Sequence, residues 1–534
     1  MRHFLPVLLG LASAQLICPA AQAQVALMAG QTAQPLQGRF NSVPVLHSNQ
    51  PEEVWGPGIL VSTTPGSAVA ETGETLANAA YTFNGDFGLH AHHKYAPTDA
   101  RRLGVPGGRR GQLTLAVIAI NPGDREVTLR FEQGAVKNSF EAPYLSNNLM
   151  GVIPQGRRPW NTGPGAATAV QMLRGSLDRN MPDIVRIPAR SRVVIVSTDL
   201  PARGIANALL KGRSDGPFQM AVVAAEDPAG PQDMLRVLDE GRLAPGRTYL
   251  TRLDEIRDRR VFARVAGVAI GDSYQASLRH DLRSGALHVP LTTTSRHHFG
   301  TNELQVNELA TRMVDSSLDN VGTYGVRFDV DLQLRGEGSH DLVFSHPTLT
   351  GRQFTAYRGT IGVTTPRGYE EFHVGLRSGQ SLSLSTLNLL PGVMTPVRIS
   401  LVYPADATPG HLLSVVPSRQ LVALRQQEQL QAEAREAMAR QAPPPVNAPP
   451  VVPGAAGVAQ GIPAAPAVAP VRPRSAPRPA QRPVMNKTAP AARPSTARPS
   501  QAPSVIPSAG WPPTAPAMID PSRPYQLMRN WFGR

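Results

Sequence analysis

The 534-residue chain has one cysteine, Cys18. With no second thiol it can close no internal disulfide and offers no C-x-x-C metal or redox pair. No stretch approaches about 18 uninterrupted apolar residues, which excludes a spanning helix. No H-E-x-x-H zinc signature occurs. The Gly-rich run GVPGGRRG (104–111) lacks the Lys-Ser/Thr end of a phosphate loop. Aromatic residues are scarce at 5% and charged residues stand at 17%. Proline and glycine are plentiful, at 52 and 47 residues. That abundance argues against a purely helical protein and invites a disordered portion. The length suits two to four domains, enough to bury a core without disulfides.

The formal charge of +14 is unevenly placed. From residue 441 onward there are nine Arg and one Lys against one Asp. The preceding residues carry 43 basic and 38 acidic groups and are nearly balanced. Basic character therefore belongs mostly to the C-terminal stretch, and no nucleic-acid-binding body is expected.

The start, MRHFLPVLLGLASAQLICPAAQAQ, reads as an export signal. Arg2 and His3 precede an apolar run from Phe4 to Ile17, and Ala21-Gln22-Ala23 offers a small-x-small cleavage site before Gln24. Cys18 lies inside this leader, and Ile17 before it does not suit lipid attachment. The expected setting is the periplasm or outer cell envelope, with full secretion as the alternative.

Residues 24–110 are rich in turn formers and read as an irregular segment. From Gly111 the pattern sharpens. QLTLAVIAI (112–120) is an apolar run of strand length, NPGD (121–124) is a turn signal, and REVTLRF (125–131) alternates. Together they read as a hairpin. Further strands are expected at 184–187, 192–197, 218–224 and 261–271, with a short helix over 232–240 stopped by Gly241. A second β region spans 321–416. Tyr324, Val326, Phe328, Val330, Leu332 and Leu334 keep a strict period of two, so one face is dry and the other wet. The two regions share a layout: a long strand, a polar Gly-containing turn and a strand. Each later carries an apolar lead and a β-branched strand with a Pro-containing exit (187–203 and 389–407).

Strong helix formers fill 418–441. Beyond them, 23 prolines with frequent Ala and Arg leave little to bury, so 442–534 is expected to be disordered with a polyproline bias. The closing YQLMRNWFGR places Arg529, Trp531, Phe532 and Arg534 as a candidate anchor to an acidic or membrane surface.

The best polar cluster is NGDFGLHAHHK (84–94). On an extended strand His90 and His92 point one way and His93 the other. With Asp86 they form a candidate divalent-metal or ligand set, since imidazole and carboxylate suit such ions. His297 and His298 can join them only if the fold brings their loop close. Arg109 and Arg110, beside successive glycine amides, are a candidate anion site.

Several strings taken together resemble a family of secreted cyanobacterial proteins catalogued as domain of unknown function 3370. They include VPVLHSNQPEEVWGPGILVST (43–63), YTFNGDFGLHAHHK (81–94), AINPGDREVTL (119–129), RVFARVAGVAIGDSYQA (260–276) and GTYGVRFDVDLQL (322–334). YRGTIGV (357–363) and LVYPADATPGHLLSV (401–415) complete the set. The resemblance covers roughly 31–416 and implies export and an envelope setting. It brings no activity or catalytic residue. Asp86, His92 and His93 match the family's positions. His47 stands where its Asn-Ser-Asn-x-Pro-Glu pattern begins with Asn, and His90 stands where an apolar or aromatic residue is usual.

The expected fold is mainly β: two antiparallel β-sandwich-like regions, one C-terminal helix and a disordered Pro/Ala/Arg-rich tail. The expected divisions are a signal peptide (1–23), an irregular segment packed on the first β domain (24–110), that domain (111–290), a connecting segment (291–320), the second β domain (321–416), the helix (417–441) and the tail (442–534). The expected function is a non-catalytic envelope structural or interaction protein without a cofactor, its basic tail contacting anionic envelope polymers or a protein partner. The alternative is a carbohydrate- or metal-binding module, hydrolytic or not, using the Asp86/His92/His93 region.

Overall fold

The alternating strands pair into four main sheets that face one another in two sandwiches. The computed structural model describes residues 33–103, 111–144, 150–154, 162–261, 264–347 and 354–441. The first sandwich packs a nine-stranded sheet on a four-stranded one. Its core includes Leu89, Leu115, Val117, Leu129, Phe131, Phe218 and Val222. The second packs a seven-stranded sheet on a four-stranded one, around Phe328, Val330, Leu332, Phe344, Tyr357, Ile399 and Leu413. The strict alternation over 324–334 falls as expected: Phe328, Val330, Leu332 and Leu334 are inside, and Arg327, Asp329, Asp331 and Gln333 face outward.

Neither sandwich is a continuous piece of chain. Residues 24–110, expected to be irregular, supply the strands Pro44–Ser48, Gly58–Ser62 and Asp86–Tyr95 to the interior of the first sandwich. The connecting segment 291–320 supplies Asn307–Arg312 and Asp319–Asn320 to the nine-stranded sheet. The second sandwich takes Arg39–Phe40, Gly151–Pro154, Ser273–Asp281 and Leu287–Leu291, all from outside 321–416. Short strands bounded by Gly and Pro leave a weak periodic signal, and pairing across such sequence distances leaves none.

The NPGD turn does not close a hairpin. Gln112–Asn121 belongs to the small sheet and Val127–Asn138 to the large one, so the chain crosses the core between layers. Asn121 holds the crossing: its side-chain amide donates to Arg125 O, Ile187 O and Pro188 O, and its Oδ1 accepts from Gly123 N. Arg327–Arg335 and Gly338–His346 cross between layers in the same way. The likeness of the two regions extends to pairing. Ser191–Pro201 returns beside 112–121, and Met394–Val402 returns beside 327–335. Ile205–Ser214 then joins 127–138, and His411–Pro417 joins 338–346.

Three strand pairs depart from a purely antiparallel reading, one of them the short Glu53–Val54 beside Lys94–Tyr95. Strand 44–48 runs parallel to 86–95, and strand 273–281 runs parallel to 327–335. The helix Pro164–Leu173 was not expected from sequence. Pro164 opens it, where proline is pre-shaped for a helix start, and Ala166, Ala167, Ala169, Met172 and Leu173 are buried. It lies in the seam between the sandwiches. Strands 127–138 and 205–214 touch it from one side, and Thr355–Thr365 and 394–402 from the other. The helices Pro231–Asp239 and Ser418–Gln441 fall where the sequence placed them. Gly241, at φ 63°, follows the first of these and suits a left-handed stop.

Because each sandwich borrows central strands from across the chain, neither β region should fold alone. A fragment spanning 111–290 lacks strands 44–48, 58–62 and 86–95. It is expected to give no dispersed NMR spectrum and no cooperative melt, whereas residues 31–441 melt in one transition by circular dichroism.

Candidate functional site

Strand 86–95 carries the sequence-predicted histidines, and its neighbours decide what they do. Strand 44–48 aligns with it so that Leu46 lies beside Leu89, His47 beside His90 and Ser48 beside Ala91. Strand 205–214 flanks the other edge, with Asn207 opposite His92. The alternation works as expected. Phe87, Leu89, Ala91 and His93 turn toward the first core, while His90 and His92 turn toward the seam.

On the seam face His47 Nδ1 and His90 Nδ1 are 3.3 Å apart, so at least one of these rings is neutral in the contact. The His90 and His92 rings stack with centroids 6.4 Å apart. Gly325, from the second sandwich, seals this face at φ +77°; a Cβ there would sit 3.0 Å from Leu209 Cδ1 and 3.5 Å from His90 Cβ. His92 Nδ1 lies 2.9 Å from Asn207 Oδ1. Its Nε2 faces Asp406 Oδ1 of the second sandwich at 3.7 Å.

On the core face His93 Nδ1–H donates to the Pro51 carbonyl at 2.7 Å. In the neutral ring Nε2 then accepts from the Ser48 hydroxyl at 2.8 Å. This is the hydrogen bonding of an activated serine, but Ser48 and His93 are both 0% exposed. No substrate reaches that hydroxyl. Beside it, Arg247 Nη1 spans both Asp315 oxygens at 3.0 and 2.9 Å, and Arg247 Nη2 donates to Leu60 O. Gln50 Nε2 also donates to Asp315.

Burial sets the protonation of these rings. It pushes His47 and His93 down to about 3, and His90 well below the ordinary imidazole value. Neighbouring His47, His92 and His93 add to the effect on His90, and Arg247 adds to it on His93.

The candidate metal set does not assemble. Asp86 sits at the far end of the strand, roughly 20 Å from His92 at ~3.3 Å per residue, in an exposed ion pair with Arg213 at 2.6 Å. His93 projects to the opposite face from His90 and His92. Among the described residues no group of three or more His, Cys, Asp or Glu is disposed to hold a metal ion. His297 lies in the second sandwich, beside Thr294 and Gly410, away from strand 86–95. Arg109, Arg110, Arg529, Trp531, Phe532 and Arg534 lie outside the described residues.

Ser48, His47, Asn207 and Asp406 were missed by sequence reasoning. Strand pairing sets His47 toward the seam, Ser48 toward the core and Asn207 opposite His92, the seam adds Asp406, and no local motif announces these contacts. Gly212-Arg213-Ser214-Asp215-Gly216 has the spacing of a nucleophile elbow. It leads from one strand to another, not into a helix, and Ser214 Oγ accepts from Gly85 N at 3.0 Å. A groove of about 280 Å³ elsewhere on the first sandwich is lined by Thr64, Ser67, Asn78 and the Arg192–Asp239 pair, with no aromatic side chain in its wall.

The chain is thus an interwoven double β-sandwich protein whose histidine-rich strand is enclosed between layers. The family model described as protein of unknown function, DUF3370, matches residues 31–417, and the chain belongs to that family. Comparison with curated proteins gives no match.

The buried imidazoles make stability depend on pH. In the unfolded chain His47 and His93 take up protons near pH 6.5, whereas in the fold they remain neutral to about pH 3. Their neutral burial costs nothing above the unfolded value, and stability falls as pH drops from about 6.5 toward 3. Moving from pH 6.5 to 5.5 should cost roughly 1 kcal/mol for each of the two, read from denaturant titrations at both pH values. A flat profile contradicts this. Asp315→Ala leaves Arg247 charged and buried, and should cost about 3–5 kcal/mol in the same assay.

Proposed function

We propose that this chain is an exported, non-catalytic structural or interaction protein of the cell envelope. Its double sandwich serves as a rigid body, and its basic proline-rich stretch contacts anionic envelope polymer. The observation that carries the non-catalytic reading is the enclosure of the histidine cluster. The imidazoles, hydroxyl and ion pair best suited to chemistry are 0–5% exposed and hydrogen-bonded to their surroundings or packed on one another. The leader-like start supports export, and the resemblance to secreted proteins supports the envelope setting. The partition of charge supports the role of the tail: nine Arg and one Lys against one Asp lie from 441 onward. Basic groups spaced along an extended chain bind a polyanion through screened attraction, so binding weakens as salt rises.

Deleting 442–534 tests this reading. The mature full-length chain is expected to sediment with isolated envelope fractions at low salt and to be released as salt is raised. The truncated chain should remain in the supernatant. Equal, salt-insensitive binding by both chains contradicts the role of the tail.

A further inference from the structure

The seam holds one carboxylate against the histidine row, and the hydrogen bonds around it fix which nitrogen it meets. Thr168 spends its hydroxyl proton on the carbonyls of Pro164 and Gly165, at 3.1 and 3.0 Å. It can therefore only accept from Asn207 Nδ2, 2.5 Å away. This orients the amide so that Asn207 Oδ1 faces His92 and must receive a proton from Nδ1. In neutral His92 the other nitrogen, Nε2, is then bare. It faces Asp406 Oδ1, also an acceptor, and the two stand 3.7 Å apart, beyond a hydrogen bond. The Tyr144 hydroxyl also hydrogen-bonds to the Asp406 carboxylate.

We propose that His92 and Asp406 form a proton-operated latch between the two sandwiches: one proton taken up at His92 Nε2 turns a bare nitrogen facing a carboxylate into a charge-assisted hydrogen bond across the seam. No covalent step is involved; the proton comes from solvent, which Asp406 meets with its side chain 21% exposed. The groups around His92 favour this site for the charge. From strand 44–48, His47 reaches only as far as His90. From strand 86–95, His90 stacks on His92 and His93 points to the other face. Strand 205–214 contributes Asn207 and the seam helix Thr168, neither of them titratable. The 403–410 loop contributes Asp406. Near that carboxylate are Tyr144, with Arg358 beside it, and Tyr324, with Arg264 beside it. Among the rings on this face, His92 is the one paired with an anion.

The opposite edge of the seam is tied by other groups. Asn41 and Asp272 exchange hydrogen bonds where the chain passes between sandwiches, and Lys211 pairs with Asp272 at 3.0 Å. Closing the latch therefore tightens the 403–410 loop locally. The loop reports on this through Ala407 N, which donates to Pro404 O, and Thr408 N, which donates to Ala356 O.

Hydrogen exchange of residues 404–410 in the full chain, normalised to intrinsic rates, is the test. Across the pH interval over which His92 Nε2 is seen by ¹⁵N-imidazole NMR to gain its proton, exchange should slow on the order of tenfold. His92→Gln and Asp406→Asn should each abolish the slowing. Its absence in the unaltered chain, or its persistence in either variant, overturns the proposal. Should a variant fail to fold, ¹⁵N-imidazole NMR of the unaltered chain replaces it. Nε2 of His92 must gain its proton over the same pH interval as the slowing, and a mismatch overturns the latch.

Discussion

The parallel pairing of strand 44–48 with strand 86–95 is the constraint on which the rest of this structure depends. It sets His47 beside His90 toward the seam and Ser48 within reach of His93 toward the core. Polar side chains on both faces of a central strand pair are costly unless every one finds a partner. The surrounding chain supplies many of those partners: the Pro51 carbonyl and Ser48 for His93, and Asn207 for His92. A small change in register would strand several of these groups at once. The network therefore specifies one arrangement of distant segments in a way that an all-apolar pair could not.

The interweaving follows from the same demand. Residues 39–40 belong to one sandwich and 44–48 to the other, and 266–270 and 273–281 repeat the crossing. Each passage carries polar ties such as Asn41 with Asp272. The seam helix adds its own. Arg174 grips Glu371 through two nitrogens, and Arg327 caps the helix end by donating to Leu173 O. The two cores, though separate, are thereby coupled.

Much of the architecture was legible because alternation is local. The strand at 327–335, the apolar run at 112–121 and the helices at 231–239 and 418–441 were all readable from side-chain period and end signals. Partner choice was not. The NPGD turn looks like a hairpin because a turn between alternating strands reads the same whether the chain folds back in its sheet or crosses to the facing one. For the histidine strand, sequence gave the faces of His90, His92 and His93 correctly, since they follow from a period of two. It could not place Asp86 against Arg213, nor supply Asp406 from more than three hundred residues further on. Asn207, which orients His92, is an ordinary residue in an apolar strand and carries no local mark of its role. His90, His92 and His93, which sequence alone would assign to chemistry, are in the fold enclosed within the packed layers.

Direct observation of imidazole protonation is the most incisive measurement. Long-range ¹H–¹⁵N correlation on the ¹⁵N-histidine-labelled chain near neutral pH reports the state of each ring nitrogen. The account predicts that His93 carries its proton on Nδ1 with a bare Nε2, that His47 and His90 are neutral, and that added divalent metal leaves all three signals in place. An imidazolium at His93, or metal-shifted nitrogens at His47, His90 or His93, would contradict it.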